Sequence, residues 1–170
     1  MKAKFLTKVA FYTAIYCVLS PFAFYIGPIP ITLSFFAVCL ISSITDVKTA
    51  LFSVLCYILL GVFGIPVFSG FTGGFQKLFD MSGGFIAGYI PMAFIISFFC
   101  NKFKTKKFIV PLSCLLGALV CYIIGTCWFC YITKTGIYYS FGITVLPFIP
   151  FDAVKIILSS IITSKLRKVL

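Results

Sequence analysis

Three consecutive stretches decide how this chain is read: GFIAGYIPMAFIISFFC (residues 84–100), NKFKTKK (101–107) and FIVPLSCLLGALVCYIIGTCWFCYIT (108–133). The outer two carry no charged side chain, whereas the middle one carries four lysines. A bilayer span needs about 20 predominantly apolar residues. The pattern therefore predicts two transmembrane helices joined by a short basic loop. Composition extends the reading to the whole chain. Of 170 residues, 62% are hydrophobic and 10% are charged, against roughly a quarter charged in an average soluble domain. A soluble fold of this size leaves much of its surface in water and could not hide so much apolar area. The solvent that fits is lipid.

Working outward, four more apolar runs appear, giving spans at about 9–26, 31–44, 47–63, 84–100, 108–133 and 151–164. The expectation is an all-α integral membrane protein with six transmembrane helices in a single membrane domain over 1–170. The first run follows a lysine-rich start that mimics a signal peptide, but no small-residue cleavage site follows, so it reads as a retained span. It stops at Gly27-Pro28-Ile29-Pro30. Thr45 or Asp46 is a natural N-cap for the third span. Residues 31–63 are barely long enough for two crossings, so a tilted or partly re-entrant pair is an open alternative there. Residues 64–84 form a glycine-rich, irregular loop between spans 3 and 4, and a second irregular loop precedes Pro147.

The net charge of +11 is explained by its placement. With a cytoplasmic N-terminus, Lys2, Lys4, Lys8, Lys48, Lys102, Lys104, Lys106, Lys107, Lys165, Arg167 and Lys168 fall inside, while Lys77 and Lys134 fall outside. Eleven against two is the bias expected of an N-in, C-in chain with an even number of spans, the glycine-rich loop being external. The basic excess is a topology signal and does not call for a nucleic-acid partner.

Several activities are excluded by what is missing. There is no His and no Glu, and Asp46, Asp80 and Asp152 are the only acids. That removes HExxH zinc sites, Ser-His-Asp triads and paired-glutamate glycosidase sites. A phosphate-binding GxxxxGK[ST] loop is absent, so any ATP-derived energy must come from another protein. The eight cysteines are scattered through apolar runs. Cys127 and Cys130 have C-x-x-C spacing but sit within an apolar helix, where packing thiols are the simpler reading.

Asp152 and Lys155 stand out. They are three residues apart at the start of the sixth span and share one helix face. Burying a charge at membrane depth costs about 2.5–3.5 kcal/mol on insertion scales, so the pair needs a purpose. It either ties down a helix end or serves a ligand. A carboxylate accepts N–H groups and an ammonium donates to a carbonyl, which together suit a neutral amide- or urea-like molecule. In the glycine-rich loop, the backbone amides of Gly73 and Gly74 could hold a carboxylate, or the loop is a plain connector. Ala10 and Ala14, Gly84 and Gly88, and Gly117, Cys121 and Gly125 place small residues four apart, letting helices approach closely.

Taken in order, these residues resemble one family. Gly27-Pro-Ile-Pro-Ile-Thr-Leu33, Leu60-Gly-Val-Phe-Gly-Ile-Pro-Val-Phe68, the Gly70/Gly73-Gly74 loop, Ser82-Gly-Gly-Phe-Ile-Ala-Gly88 and Pro147-Phe-Ile-Pro-Phe-Asp-Ala-Val-Lys155 resemble BioY, the biotin-specific S component of energy-coupling-factor (ECF) transporters. The resemblance implies that Asp152 and Lys155 contact the ligand's ureido group. It also implies that Gly73, Gly74, Thr32, Gly83, Gly84 and Tyr89 line the rest of the site. Ala10 and Ala14 would face a transmembrane coupling subunit that works with two ATPase subunits. It implies a multi-pass protein of the bacterial plasma membrane that binds biotin from outside, needs no cofactor and catalyses no reaction of its own. The chain departs from the usual pattern at Ser34 and over 80–85. An S component for another vitamin and a stand-alone biotin facilitator remain as alternatives, with a small lipid-directed membrane enzyme more remote.

Overall fold

The computed structural model describes residues 2–25, 29–103 and 108–167. Among these are seven helices: α1 (Lys2–Leu19), α2 (Ser34–Ile44), α3 (Val47–Val62), α4 (Gly83–Lys102), α5 (Ile109–Thr133), α6 (Ile137–Thr144) and α7 (Phe148–Leu166). Ile26, Gly27 and Pro28, at the expected end of the first span, lie outside the described residues, as do Lys104, Lys106, Lys107 and Lys168 from the inside charge set.

Four local expectations are corrected. The fold is not purely helical: β1 (Ala23–Tyr25) and β2 (Pro30–Thr32) form an antiparallel pair with Ala23 opposite Thr32 and Tyr25 opposite Pro30. For the same reason α1 stops at Leu19, short of residue 26. Pro21 disfavours helix at Ser20, and the backbone groups beyond it find partners in the hairpin. The second loop is largely helical, as α6. Finally, α7 begins at Phe148, not near 151. Pro147 caps it and Pro150 sits in its first turn, where a missing N–H costs nothing. Asp152 is therefore a turn further into the helix than the sequence suggested, and relief from the helix dipole is correspondingly weaker.

By length and composition, α4 and α5 are each able to cross a membrane, and α6 with α7 qualify as one span bent by 48°. The 11-residue α2 rises only about 16 Å, roughly half of a ~30 Å hydrocarbon layer.

The helix pair from the opening stretches packs antiparallel through its small residues. A side chain at Gly84 would collide with Trp128, and one at Gly125 with the Phe85 ring. A Cβ at Gly88 would lie 3.0 Å from the Cys121 sulfur, and one at Gly117 would lie 3.1 Å from Met92. Both stripes are thus seated within the fold.

At one end of the bundle, helix termini are fastened by polar side chains. Arg167 donates to the Ser43 carbonyl at 2.7 Å and to Cys100 at 3.4 Å, and Asn101 donates to Thr45 at 2.9 Å. The far ends of α2, α4 and α7 therefore meet where α3 begins. Asp46 is the cap that starts α3, accepting from the Thr49 N–H at 3.0 Å and its hydroxyl at 2.7 Å. Partial burial pulls its pKa up, but the Thr49 bonds and the Lys8 charge outweigh that and hold the carboxyl below its ordinary value. The opening turns of α1 join this end too, with Phe5 edge-on to Phe52 at 5.6 Å. Lys4, Lys8, Lys48, Lys102, Lys165 and Arg167 thus cluster at one end, opposite the hairpin and the glycine-rich loop.

Candidate functional site

At that opposite end lies a narrow cavity of about 50 Å³, open on one side. Five of the helices and β2 contribute to it. β2 brings Thr32, the start of α2 brings Phe35, α3 brings Tyr57, and α4 brings Phe85 and Tyr89. Tyr122 comes from α5, Phe148, Asp152 and Lys155 come from α7, and Phe68 and Ser69 project from the glycine-rich loop. Asp152 and Lys155 of α7 face inward, where they are 3% and 8% exposed.

The polar centre is built around this pair. Lys155 Nζ donates to Asp152 Oδ1 at 2.9 Å and to the Thr32 backbone carbonyl at 2.8 Å. Tyr122 donates its hydroxyl to Asp152 Oδ2 at 2.6 Å. An ammonium has three donors and a carboxylate about four acceptor positions, so one N–H and roughly two lone pairs stay available. The ammonium lies 5.6 Å from the centre of the Phe35 ring, which stacks on Tyr122 at 6.4 Å. Phe85 and Phe148 stack at 6.3 Å on another wall. Two aromatic walls and a buried, partly unsaturated ion pair favour a flat, neutral ligand with adjacent hydrogen-bond donors and an acceptor.

The expected site residues divide into two groups. Asp152, Lys155, Thr32 and Tyr89 come together around the cavity, and the Thr32 and Tyr89 hydroxyls lie 3.4 Å apart. Thr32 also serves through its carbonyl, a role its side chain does not reveal. Gly73, Gly74, Gly83 and Gly84 do not line the cavity; they shape the loop and its junction with α4. The Gly74 N–H is donated to the Gly61 carbonyl at 2.7 Å, and φ of 105° there suits glycine. A side chain at Gly73 would strike the Ile65 carbonyl, and one at Gly83 the Leu78 carbonyl. Lys77 pairs with Asp80 at 3.1 Å. The loop is tied to α5 by Trp128, whose indole donates to the Asp80 carbonyl at 3.0 Å. Ala10 and Ala14 are exposed on α1, beside Phe11 and Val18 at 62% and 64% exposure, on a face that no other helix covers among the described residues.

Tyr122 was not anticipated. A tyrosine hydroxyl midway along a charge-free span is its only sequence signal, and Asp152 is 30 residues away. The aromatic lining was equally hidden, because 22 phenylalanines give no hint of which ones face the cavity.

Comparison with known proteins agrees with this architecture. A family model described as the BioY family matches residues 1–170. The biotin transporter BioY2 of Lactococcus lactis subsp. cremoris (strain MG1363) is 35% identical over 92% of this chain and 86% of its own length. A probable biotin transporter BioY of Pyrococcus horikoshii is 36% identical over 98% of both chains. A crystal structure of the S-component for biotin from an ECF-type ABC transporter superposes with a TM-score of 0.88 at 29% identity, covering 98% of this chain and 92% of that one.

Proposed function

The chain belongs to the BioY family, and from that premise we propose that it is the S component of an ECF transporter that captures biotin at the outer face of a bacterial plasma membrane. The observation that carries the reading is the Asp152–Lys155–Tyr122 group inside an aromatic cavity. Biotin's bicyclic core presents two ureido N–H groups, for which Asp152 has acceptor positions left, and a ureido oxygen, for which Lys155 has an N–H left. The fused rings fit between the Phe35/Tyr122 and Phe85/Phe148 walls. The valerate carboxylate is assigned to the side formed by the glycine-rich loop. Since the Gly74 amide is already engaged, Ser69 and Ser82, which line the cavity there, are the better donors.

The six-span, N-in, C-in arrangement is part of the same reading. Gathering of the described basic residues at the end where α1 begins and α7 finishes supports it, through the positive-inside bias. Short α2 and α3 then cross as a tilted pair, with the hairpin extending α2 toward the outer surface. Transport requires a transmembrane coupling subunit and two ATPases, docked on the uncovered Ala10/Ala14 face of α1.

Calorimetry of the purified chain with biotin tests the ligand. Asp152→Ala and Lys155→Ala are each expected to lose binding, and near-normal affinity in both would falsify the assignment. Uptake of labelled biotin by cells with and without the coupling and ATPase subunits tests the partnership. Ala10→Trp/Ala14→Trp is expected to abolish uptake while leaving binding intact; vigorous uptake by the chain alone would instead favour a stand-alone facilitator.

A further inference from the structure

We infer that Tyr122 is a specificity-determining residue: its ring is the wall between the ligand cavity and a second, apolar space, and it makes the site reject ligands substituted on the ureido nitrogens. The inference rests on the reading that the cavity holds biotin. A groove of about 420 Å³ runs along the flank between α5, α6 and α7, lined by side chains such as Leu119, Ile123, Phe141 and Ile149. Tyr122 and Asp152 are the two residues that line both spaces. The partition is therefore one aromatic ring and the 2.6 Å hydrogen bond that fixes it to the carboxylate. Stacking on Phe35 at 6.4 Å holds the ring from the cavity side.

This arrangement has a steric consequence. Lys155 and Tyr122 each occupy one oxygen of Asp152, so a ligand N–H entering from the cavity meets the remaining lone pairs beside the Tyr122 ring. An alkyl group in place of that hydrogen would be driven toward the Tyr122 ring, with no room to pass into the groove behind it. The wall thus reads the bare nitrogen, while the carboxylate supplies the attraction. Removing the ring joins the two spaces and gives such a substituent an apolar berth.

The test is calorimetry on the full chain with biotin and with two analogues, each carrying a propyl group on one of the ureido nitrogens. The wild-type chain is expected to bind biotin and to hold at least one analogue about a hundredfold more weakly. Tyr122→Ala is expected to narrow that ratio about tenfold or more, with Tyr122→Leu as the second aperture if the alanine variant does not fold. Tyr122→Phe keeps the ring and loses the hydroxyl; it is expected to weaken biotin about tenfold while leaving the analogue rejected. A purely structural role would weaken all ligands alike. An unchanged ratio in the folded ring-deletion variant overturns the proposal, as does a ratio that collapses equally in Tyr122→Phe. Failure of the wild-type chain to bind biotin overturns the underlying reading instead.

Discussion

Helix α7 carries a polar cluster at each end, and the two are built for different work. Near its start, Asp152 and Lys155 satisfy each other and two neighbours yet retain hydrogen-bonding capacity toward open space. At its finish, Arg167 reaches the carbonyls of Ser43 and Cys100, in the last turns of α2 and α4. Both clusters hold charge in an apolar bundle. One has capacity left over and faces a void, so it can bind. The other directs its guanidinium at helix-end carbonyls, so it fastens.

The largest expected effect comes from breaking the first cluster. Lys155→Met leaves the Asp152 carboxylate buried without its cation, and removing one partner of a buried pair typically costs about 3–5 kcal/mol. Biotin affinity should fall at least a hundredfold and the melting temperature should drop, both measurable in detergent. Arg167→Met should reverse the proportions. Hydrogen bonds from a charged donor contribute about 1.5–3 kcal/mol, so the melting temperature falls while biotin affinity in the folded fraction stays within about threefold. A binding loss as large as that of Lys155→Met would erase the distinction between the clusters.

Asp46→Ala is the mildest break, removing the cap of α3 at the fastened end for roughly 1 kcal/mol. The sign of its pH dependence follows from the carboxyl being held below its ordinary value. The stabilisation it gives is present above the unfolded pKa, near 3.9, and is lost as pH falls through the lower folded value. The stability gap between wild type and Asp46→Ala should therefore close on acidification below about pH 4. A gap that widens with acid would contradict the capping role.

The two ends also differed in how readable they were. Asp46 and the Asp152/Lys155 spacing are local signals, and a charged residue in an apolar run announces itself. The glycine stripes of α4 and α5 were legible for the same reason, since helical spacing alone puts small residues on one face. The hairpin was not, because strands of three residues exist only through their pairing across prolines. Tyr122, the Thr32 carbonyl and the Arg167 clasp depend on contacts 30, 123 and 124 residues apart, which no window of sequence displays. The glycines of the outer loop were recognised as special, and the structure adds a reason: they let the loop fold tightly on itself, with the Gly70 and Gly74 N–H groups donated to the Pro21 and Gly61 carbonyls.

The bond from Trp128 to the Asp80 carbonyl has an experimental consequence. Trp128 is the only tryptophan in the chain, so the tryptophan emission of the unlabelled protein, excited selectively over its tyrosines, arises from one indole hydrogen-bonded to the loop beside the cavity. A change in emission wavelength or quenching on addition of ligand is then a direct optical record of that loop's position, obtainable in stopped flow without attaching a dye.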